Sequence, residues 1–153
     1  MKPIEGYNKL RGGYYTPEKI AEFIVDWAIR TTTDTILEPS CGDGSFVNAI
    51  TSKLQRMGTS DQAIKRNVTG VELDKTEAKK ASRYGASIIQ SDFFTYYQNC
   101  IDDKKKFDVI VGNPPFIRYQ NFEEEYRKIA FELMDKHGFH PNRLTNIWLP
   151  FLV

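Results

Sequence analysis

Four short apolar segments set the strongest limit on how this chain can fold. Thr35 to Glu38, Asn67 to Leu73, Ala86 to Gln90 and Phe107 to Val111 read as β-strands, and helix-forming stretches precede and separate most of them. Thr16-Pro17 opens the first helix, with Thr in the N-cap place and Pro at the first helical position. Ile20, Phe23, Ile24, Trp27 and Ala28 recur at helical spacing and are expected to form its buried face. The second helix carries Phe46, Val47, Ile50, Leu54 and Met57 on one side and ends at Gly58. A polar loop then leads to the second strand. Asp74 is expected to cap the next helix, with Glu77 placed for a capping box and Gly85 closing it. A charged loop, Asp102 to Lys106, precedes the fourth strand, which is apolar enough to be buried on both faces. One more amphipathic helix runs from about Phe122 to His137 through Phe122, Tyr126, Ile129 and Leu133. Helix alternating with short apolar strand is the pattern of an α/β, doubly wound, Rossmann-like sheet.

In such sheets ligands sit beyond the carboxyl ends of the strands. All four strand ends here carry unusual residues: Glu38-Pro39-Ser40-Cys41-Gly42-Asp43-Gly44, Glu72-Leu73-Asp74, Ser91-Asp92-Phe93-Phe94 and Asn113-Pro114-Pro115-Phe116. Gly42 and Gly44 let the backbone approach a ligand closely at the start of a helix. A helix N-terminus built for a diphosphate would seldom be flanked by acids. Glu38 and Asp43 suit a cation instead, such as the amino group of a methionine moiety. Glu72 is placed to accept hydrogen bonds from ribose hydroxyls, given an insertion between Met57 and Arg66. Two readings stay open for Asp92 and Phe93: contact with a purine ring, or a simple turn cap.

The tetrapeptide Asn113 to Phe116 is the sharpest chemical signal. The exocyclic nitrogen of adenine is a poor nucleophile because its lone pair is delocalised into the ring. Two acceptors that take the amino hydrogens, the Asn113 side-chain oxygen and the Pro114 carbonyl, would draw it towards tetrahedral geometry. Consecutive prolines fix the backbone so that both acceptors converge. Phe116 offers a flat face for an extruded base.

With these motifs in hand, the chain resembles the γ-class adenine-specific DNA methyltransferases of restriction–modification systems. The likeness follows the family's order along nearly the whole sequence. Gly13-Tyr14-Tyr15-Thr16-Pro17 is similar to its N-terminal motif, Glu38 to Phe46 to its cofactor loop, and Val71-Glu72-Leu73 to its ribose motif. Ser91-Asp92-Phe93 is similar to its adenine-contacting motif, and Asn113 to Phe116 to its catalytic tetrapeptide. The resemblance implies S-adenosyl-L-methionine as cofactor, bound by Tyr15, Thr16, Glu38, Ser40, Gly42, Asp43, Gly44, Glu72, Leu73, Asp92 and Phe93. It implies Thr16 near the methionine carboxylate, Glu72 on the ribose and Asp92 on the cofactor's adenine amino group. Asn113, Pro114, Pro115 and Phe116 are then the catalytic residues, acting on double-stranded DNA. Phe116 stands where many relatives have Tyr, which keeps stacking and loses a hydroxyl. The same tetrapeptide occurs in enzymes that methylate RNA bases or protein glutamine, and a cofactor-binding fragment without activity of its own is the remaining alternative.

Bulk properties limit the other classes. The chain has 153 residues, with 21 Lys and Arg against 20 acids, so charge alone gives no basic face for nucleic acid. Cys41 and Cys100 lie far apart, without the spacing of a disulfide framework or zinc site. No apolar run is long enough to span a bilayer, and no secretory signal opens the sequence, so a cytoplasmic protein is expected. His137 and His140, near Asp135, read as helix-end residues, so no metal is expected. Residues 1–13 read as an arm and residues 14–153 as the N-terminal part of a catalytic domain. The closing stretch Leu144 to Val153 reads as the start of a further helix. The expectation is therefore a fold cut after about four strands, with later strands and a target-recognition domain absent.

Overall fold

Strand β1, Ile36–Glu38, is buried at all three positions and lies inside a parallel sheet of order β3-β2-β1-β4. The other strands are β2 (Val68–Glu72), β3 (Ser87–Gln90) and β4 (Val109–Ile110). Ile36 pairs with Val68 on one side and Val109 on the other, which fixes the register of the central strands. These positions belong to a computed structural model that describes residues 15–102, 104–116, 123–142, 144–146 and 148–152. The proposed arm and Phe122 lie outside the described residues. Tyr15–Asn113 forms one compact unit, and the described residues from Pro114 onward belong to another.

Side chains alternate across the sheet, as a pleated strand requires. Ile36, Val68 and Val111 enter one apolar cluster, while Leu37 and Val71 enter a second. The first cluster is built with helices α1 (Glu18–Ala28), α2 (Ser45–Arg56), α3 (Asp61–Asn67) and α4 (Lys75–Ala81). The second is built with α5 (Phe93–Asp102), through Tyr96 and Cys100. Helices on both faces of a parallel sheet make the doubly wound arrangement read from the sequence.

Several local expectations are corrected. In α1 the buried residues are Ala21 and Val25, with Ile24 and Ala28 half-buried. Phe23 and Trp27, expected in the core, are 75% and 70% exposed, and Ile20 is exposed too. The small Ala21 lets α1 approach α2 closely, so the stripe one residue on from the bulky one faces inward. The polar stretch after Gly58 is partly helical: Ser60 caps α3 by accepting the Ala63 N–H, and Ile64 anchors it in the core. Residues Phe93 to Asp102 form a helix where none was expected. Strand β4 is shorter than read, and Ile110 is 64% exposed, so only one of its faces is packed. Asp74 does cap α4, accepting from Thr76 and Glu77, but its own N–H donates to Glu72 and not to the Glu77 of a capping box.

In the second unit, helix α6 spans Glu124–Lys136 and buries Ala130 and Met134, with Tyr126, Ile129 and Leu133 half-buried beside them. Gly138, in the left-handed conformation, follows its C-terminus. Leu149–Leu152 forms a short 3-10 turn.

Two glycines with the same backbone constraint separate conformation from space. Gly44 (φ +96°) and Gly58 (φ +87°) both occupy the left-handed region. A Cβ on Gly44 would stand 2.8 Å from Ala81 Cα and from the Tyr84 ring, whereas Gly58 faces open space. Gly58→Ala is expected to cost about 1 kcal/mol from φ alone, and Gly44→Ala at least about 1 kcal/mol more from overpacking. Urea unfolding of the two variants checks the order. Equal losses would show that α4 and Tyr84 yield to the new methyl.

Candidate active site

The carboxyl ends of β1 and β4 flank the point where strand order reverses, from which β2 and β3 lie to one side and β4 to the other. Open α/β sheets form a crevice at this place. Glu38 ends β1 and is only 2% exposed. Its carboxylate accepts the Val47 N–H in the first turn of α2, where the helix dipole favours negative charge. Among the described residues, Oε2 has no partner. Burial, then the charges of Glu72 and Asp43, push the Glu38 carboxyl well above the usual carboxylate range. An ionised acid in this place calls for a cation or a further donor from outside. The buried Ser40 hydroxyl oxygen, two residues on, likewise lacks a partner among the described residues.

Gly112 makes room for that carboxylate. A Cβ there would stand 3.3 Å from Glu38 Cγ and 3.4 Å from Oε1. Gly70, inside β2, similarly admits Ile88 and Cys41, whose atoms would lie 2.8 and 3.1 Å from an added Cβ. Neither glycine was singled out from the sequence, although a glycine inside a strand is itself a sign of close approach. Cys41 is buried, and burial followed by the Glu38 and Glu72 charges raises its thiol far above the ordinary range. That environment favours the protonated thiol.

The loop after β1 is tied to the end of β2. Glu72 Oε2 accepts the Gly42 N–H at 2.9 Å, and Oε1 accepts the Asp74 N–H at 2.7 Å. Cys41 N–H also donates to the Val71 carbonyl at 2.9 Å. Burial raises the Glu72 carboxyl, while these two N–H donors oppose the shift. Gly42 (φ +52°) needs the left-handed region, and the space where its side chain would stand meets only the Tyr15 ring, at 3.8 Å. Burial and the Glu77 carboxylate raise the Tyr15 phenol. Asp43 turns to Ser45, accepting its N–H and hydroxyl at 3.2 and 2.9 Å. Gly44 leaves room for Ala81 and Tyr84, which is by itself a packing reason for that glycine.

At the end of β3, Asp92 Oδ1 caps α5 by accepting from Phe94 N–H and Thr95 N–H at 2.9 and 3.0 Å. Of the two readings open for this residue, the cap is present. Burial raises its carboxyl against those donors. Phe93 is half-buried against the Leu37 and Val71 cluster, with its ring centroid 5.5 Å from that of Phe94. Leu73 lies at the surface.

At the end of β4, Asn113 is exposed, and its Nδ2 donates to Thr16 Oγ1 at 3.3 Å. Thr16 makes no helix cap. The capping position is Pro17, whose carbonyl accepts from Ile20 and Ala21. The unit boundary falls between Asn113 and Pro114. Pro114 and Pro115 are half-buried, and the exposed Phe116 ring tilts against Trp148 at 6.2 Å. The lysine run precedes β4 and so belongs to the opposite, amino end of the sheet, where Lys105 lies 5.0 Å above the Phe107 ring. Among the described residues, no group of His, Cys, Asp and Glu could hold a metal ion, and no helix is long and apolar enough to cross a membrane.

The buried acid predicts a definite pH response. Glu38 has a raised folded-state pKa, so its contribution to stability is fully present below the unfolded pKa and is lost as pH rises through the folded one. Glu38→Gln keeps an acceptor for Val47 and removes the charge. The ligand-free variant should melt above the wild type at pH 8, by about 2–4 °C per kcal/mol recovered, with the gap closing towards pH 4. Thermal melts across pH check this. A variant that melts lower at pH 8 would show that the ionised carboxylate is already well compensated.

Comparison with known proteins agrees with this geometry. The N-6 DNA Methylase family profile matches residues 4–152. The type II methyltransferase M.HincII of Haemophilus influenzae is 29% identical over 93% of this chain, which covers 24% of that protein. The chain thus spans about a quarter of the length of the curated relatives it matches. Among solved structures, the DrdV–DNA complex superposes with a TM-score of 0.70 at 16% identity, covering 98% of this chain and 19% of that one. A Listeria monocytogenes protein assigned to the class I S-adenosylmethionine-dependent methyltransferases gives 0.60 at 16% identity, covering 92% of this chain and 42% of that one. At these identities the structures establish the fold, and the sequence match over nearly the whole chain establishes the kinship: the chain belongs to the N-6 DNA methylase family.

Proposed function

We propose that this chain carries the cofactor site and catalytic tetrapeptide of an enzyme that methylates the exocyclic amino group of adenine in double-stranded DNA. The observation that carries the reading is that Glu38, buried and without a full set of partners among the described residues, ends β1 while the exposed Asn113 follows β4, the two strands that flank the switch point. The family membership supplies the substrate class, and the relatives' names are those of type II methyltransferases.

The residues present fit S-adenosyl-L-methionine. Glu38 Oε2 and Ser40 Oγ are buried polar atoms lacking partners, and both suit the methionine ammonium. Gly42, where an added Cβ would meet only the Tyr15 ring at 3.8 Å, passes the cofactor close to the backbone. Glu72 retains lone pairs for ribose hydroxyls beyond the two it gives to N–H groups. Asp92 uses Oδ1 for its cap and keeps Oδ2 for an adenine amino group. When bound, the cofactor supplies an electrophilic methyl group on a sulfonium.

The chain's own contribution is made at the base. Asn113 Oδ1 and the Pro114 carbonyl accept the two amino hydrogens, localising the nitrogen lone pair for in-line displacement. The nitrogen lone pair would form the new carbon–nitrogen bond as the methyl–sulfur bond breaks with its electron pair left on sulfur, the surplus proton on nitrogen would pass to solvent, and no enzyme side chain forms a bond to the base. Phe116 provides a stacking face for a base turned out of the duplex. Residues 14–153 thus act as the N-terminal part of a catalytic domain, and the setting is a cytoplasmic restriction–modification system.

Asn113→Ala in the full-length protein should lower methyl transfer by at least about 10²–10³-fold while leaving S-adenosylmethionine affinity within about threefold. Labelled cofactor supplied with DNA, RNA and protein substrates, followed by mass spectrometry of the product, reads this out. Methyladenine in DNA that survives the substitution at more than a few per cent of the wild-type rate would remove Asn113 from the chemistry. Label confined to RNA or protein would replace the substrate.

A further inference from the structure

Phe116 follows two prolines whose rings restrict the backbone that leads to it, but nothing in that backbone fixes its side chain. The residue is 57% exposed, and an exposed ring is free to sample several rotamers. Ordering such a side chain against a ligand costs rotamer entropy at the moment of binding. Among the described residues, the ring that meets Phe116 is Trp148, in the same compact unit, with centroids 6.2 Å apart and planes at 45°. That separation lies in the range where aromatic pairs attract beyond their buried area.

The two rings are held very differently. Trp148 N–H donates to the Asn146 side-chain oxygen at 3.3 Å, and the Trp148 carbonyl accepts from Phe151 N–H at 3.2 Å. The Asn146 carbonyl also accepts from Leu149 N–H, at 3.1 Å. The turn Leu149–Leu152 then packs on α6 and buries Pro150. Trp148 is thus half-buried on a segment tied from both sides, whereas Phe116 keeps more than half of its surface open. A fixed ring against part of a free one selects among its rotamers and leaves the rest of its surface for a further ring. The exposed member of the pair is the one a base can reach, and the half-buried member is its support.

We propose that Trp148 is a positioning residue that holds the Phe116 ring in the rotamer from which it stacks on an extruded adenine, so that the rings follow the order Trp148, Phe116, base. The proposal rests on the reading of Phe116 as the stacking face for that base. Trp148 acts on the base only through Phe116, and its contribution is made when the base leaves the duplex, before any methyl group moves.

The test titrates full-length, cofactor-free protein into a duplex of the sequence it methylates, with 2-aminopurine in place of the target adenine. The fluorescence of 2-aminopurine rises when it leaves the base stack, so the titration reads binding with extrusion and involves no methyl transfer. Trp148→Leu keeps apolar bulk and removes the ring, while Trp148→Phe keeps a ring. Trp148→Leu should weaken this binding by about 3- to 10-fold, and Trp148→Phe should stay within about twofold of wild type. In a Phe116→Leu background, which has no ring to position, Trp148→Leu should add less than about twofold. Undiminished binding by Trp148→Leu would overturn the role. An equal penalty in the two backgrounds would overturn it too, and would mark Trp148 as a packing residue alone. Should Trp148→Leu fail to fold, 5-fluorotryptophan in the otherwise unchanged protein takes its place. The Trp148 fluorine resonance, assigned by its loss in Trp148→Phe, should shift on adding the 2-aminopurine duplex and not on adding one of scrambled sequence. A resonance unmoved by both would contradict the proposal. Phe116→Leu separates the two levels: if it alone binds and extrudes 2-aminopurine as wild type does, the stacking role of Phe116 fails, and not that of Trp148 alone.

Discussion

A carboxylate buried at the end of the central strand is the constraint around which this site is organised. Burying Glu38 without a full set of partners is costly in a low-dielectric interior. The surrounding structure goes part of the way: the first turn of α2 gives the Val47 N–H, and the helix N-terminus adds its dipole. Gly112 withholds a side chain so that β4 can close over the acid. What remains is an oxygen with no partner among the described residues, with the Glu72 and Asp43 carboxyls acting on it. Structures keep such an imperfectly compensated group mainly where function requires it. Under the proposed reading, the missing compensation is the cofactor's ammonium.

The second organising feature is that the loops at the carboxyl edge are bound to one another as well as to their strands. Glu72 links the Gly42 loop to the start of α4, and Asn113 links the end of β4 to the segment before α1. These bonds preorganise a surface whose parts come from distant sequence, which is what a site needs if its groups are to act without rearranging. They also mean that several proposed ligand contacts have a structural role in the chain itself. Asp92 caps a helix with one oxygen, and Gly44 accommodates Tyr84. A substitution at either place would alter stability and function together.

The strands and the residues that end them were legible because they are written in local signals. Each strand is short and apolar and ends in residues that make little sense in a strand, so their positions could be read to within a residue or two. Less local features were harder to read. The Ile20, Phe23, Ile24 and Trp27 stripe has good helical spacing, but so does the stripe through Ala21 and Val25, and packing against α2 selected the smaller residues. Helix α3 is too short and polar to show a period, and its one core anchor is Ile64. Helix α5 carries its aromatic residues so densely that no single face stands out. Thr16 was read as a cap because its neighbour is a proline; its bond to Asn113 is a long-range contact that no local pattern encodes. The roles of Gly112 and Gly70 depend on neighbours brought by the fold; Gly70 lies inside β2, where a glycine is a general sign of close approach, whereas Gly112 follows β4 and carries no such local sign.

The most direct measurement is a structure of the full-length protein with S-adenosylmethionine bound. The central claim predicts the methionine ammonium against Glu38, ribose hydroxyls on Glu72, and the sulfonium methyl facing the Asn113 side chain. A cofactor seated away from the carboxyl ends of β1 and β2, or one that leaves Glu38 without a new partner, would contradict it.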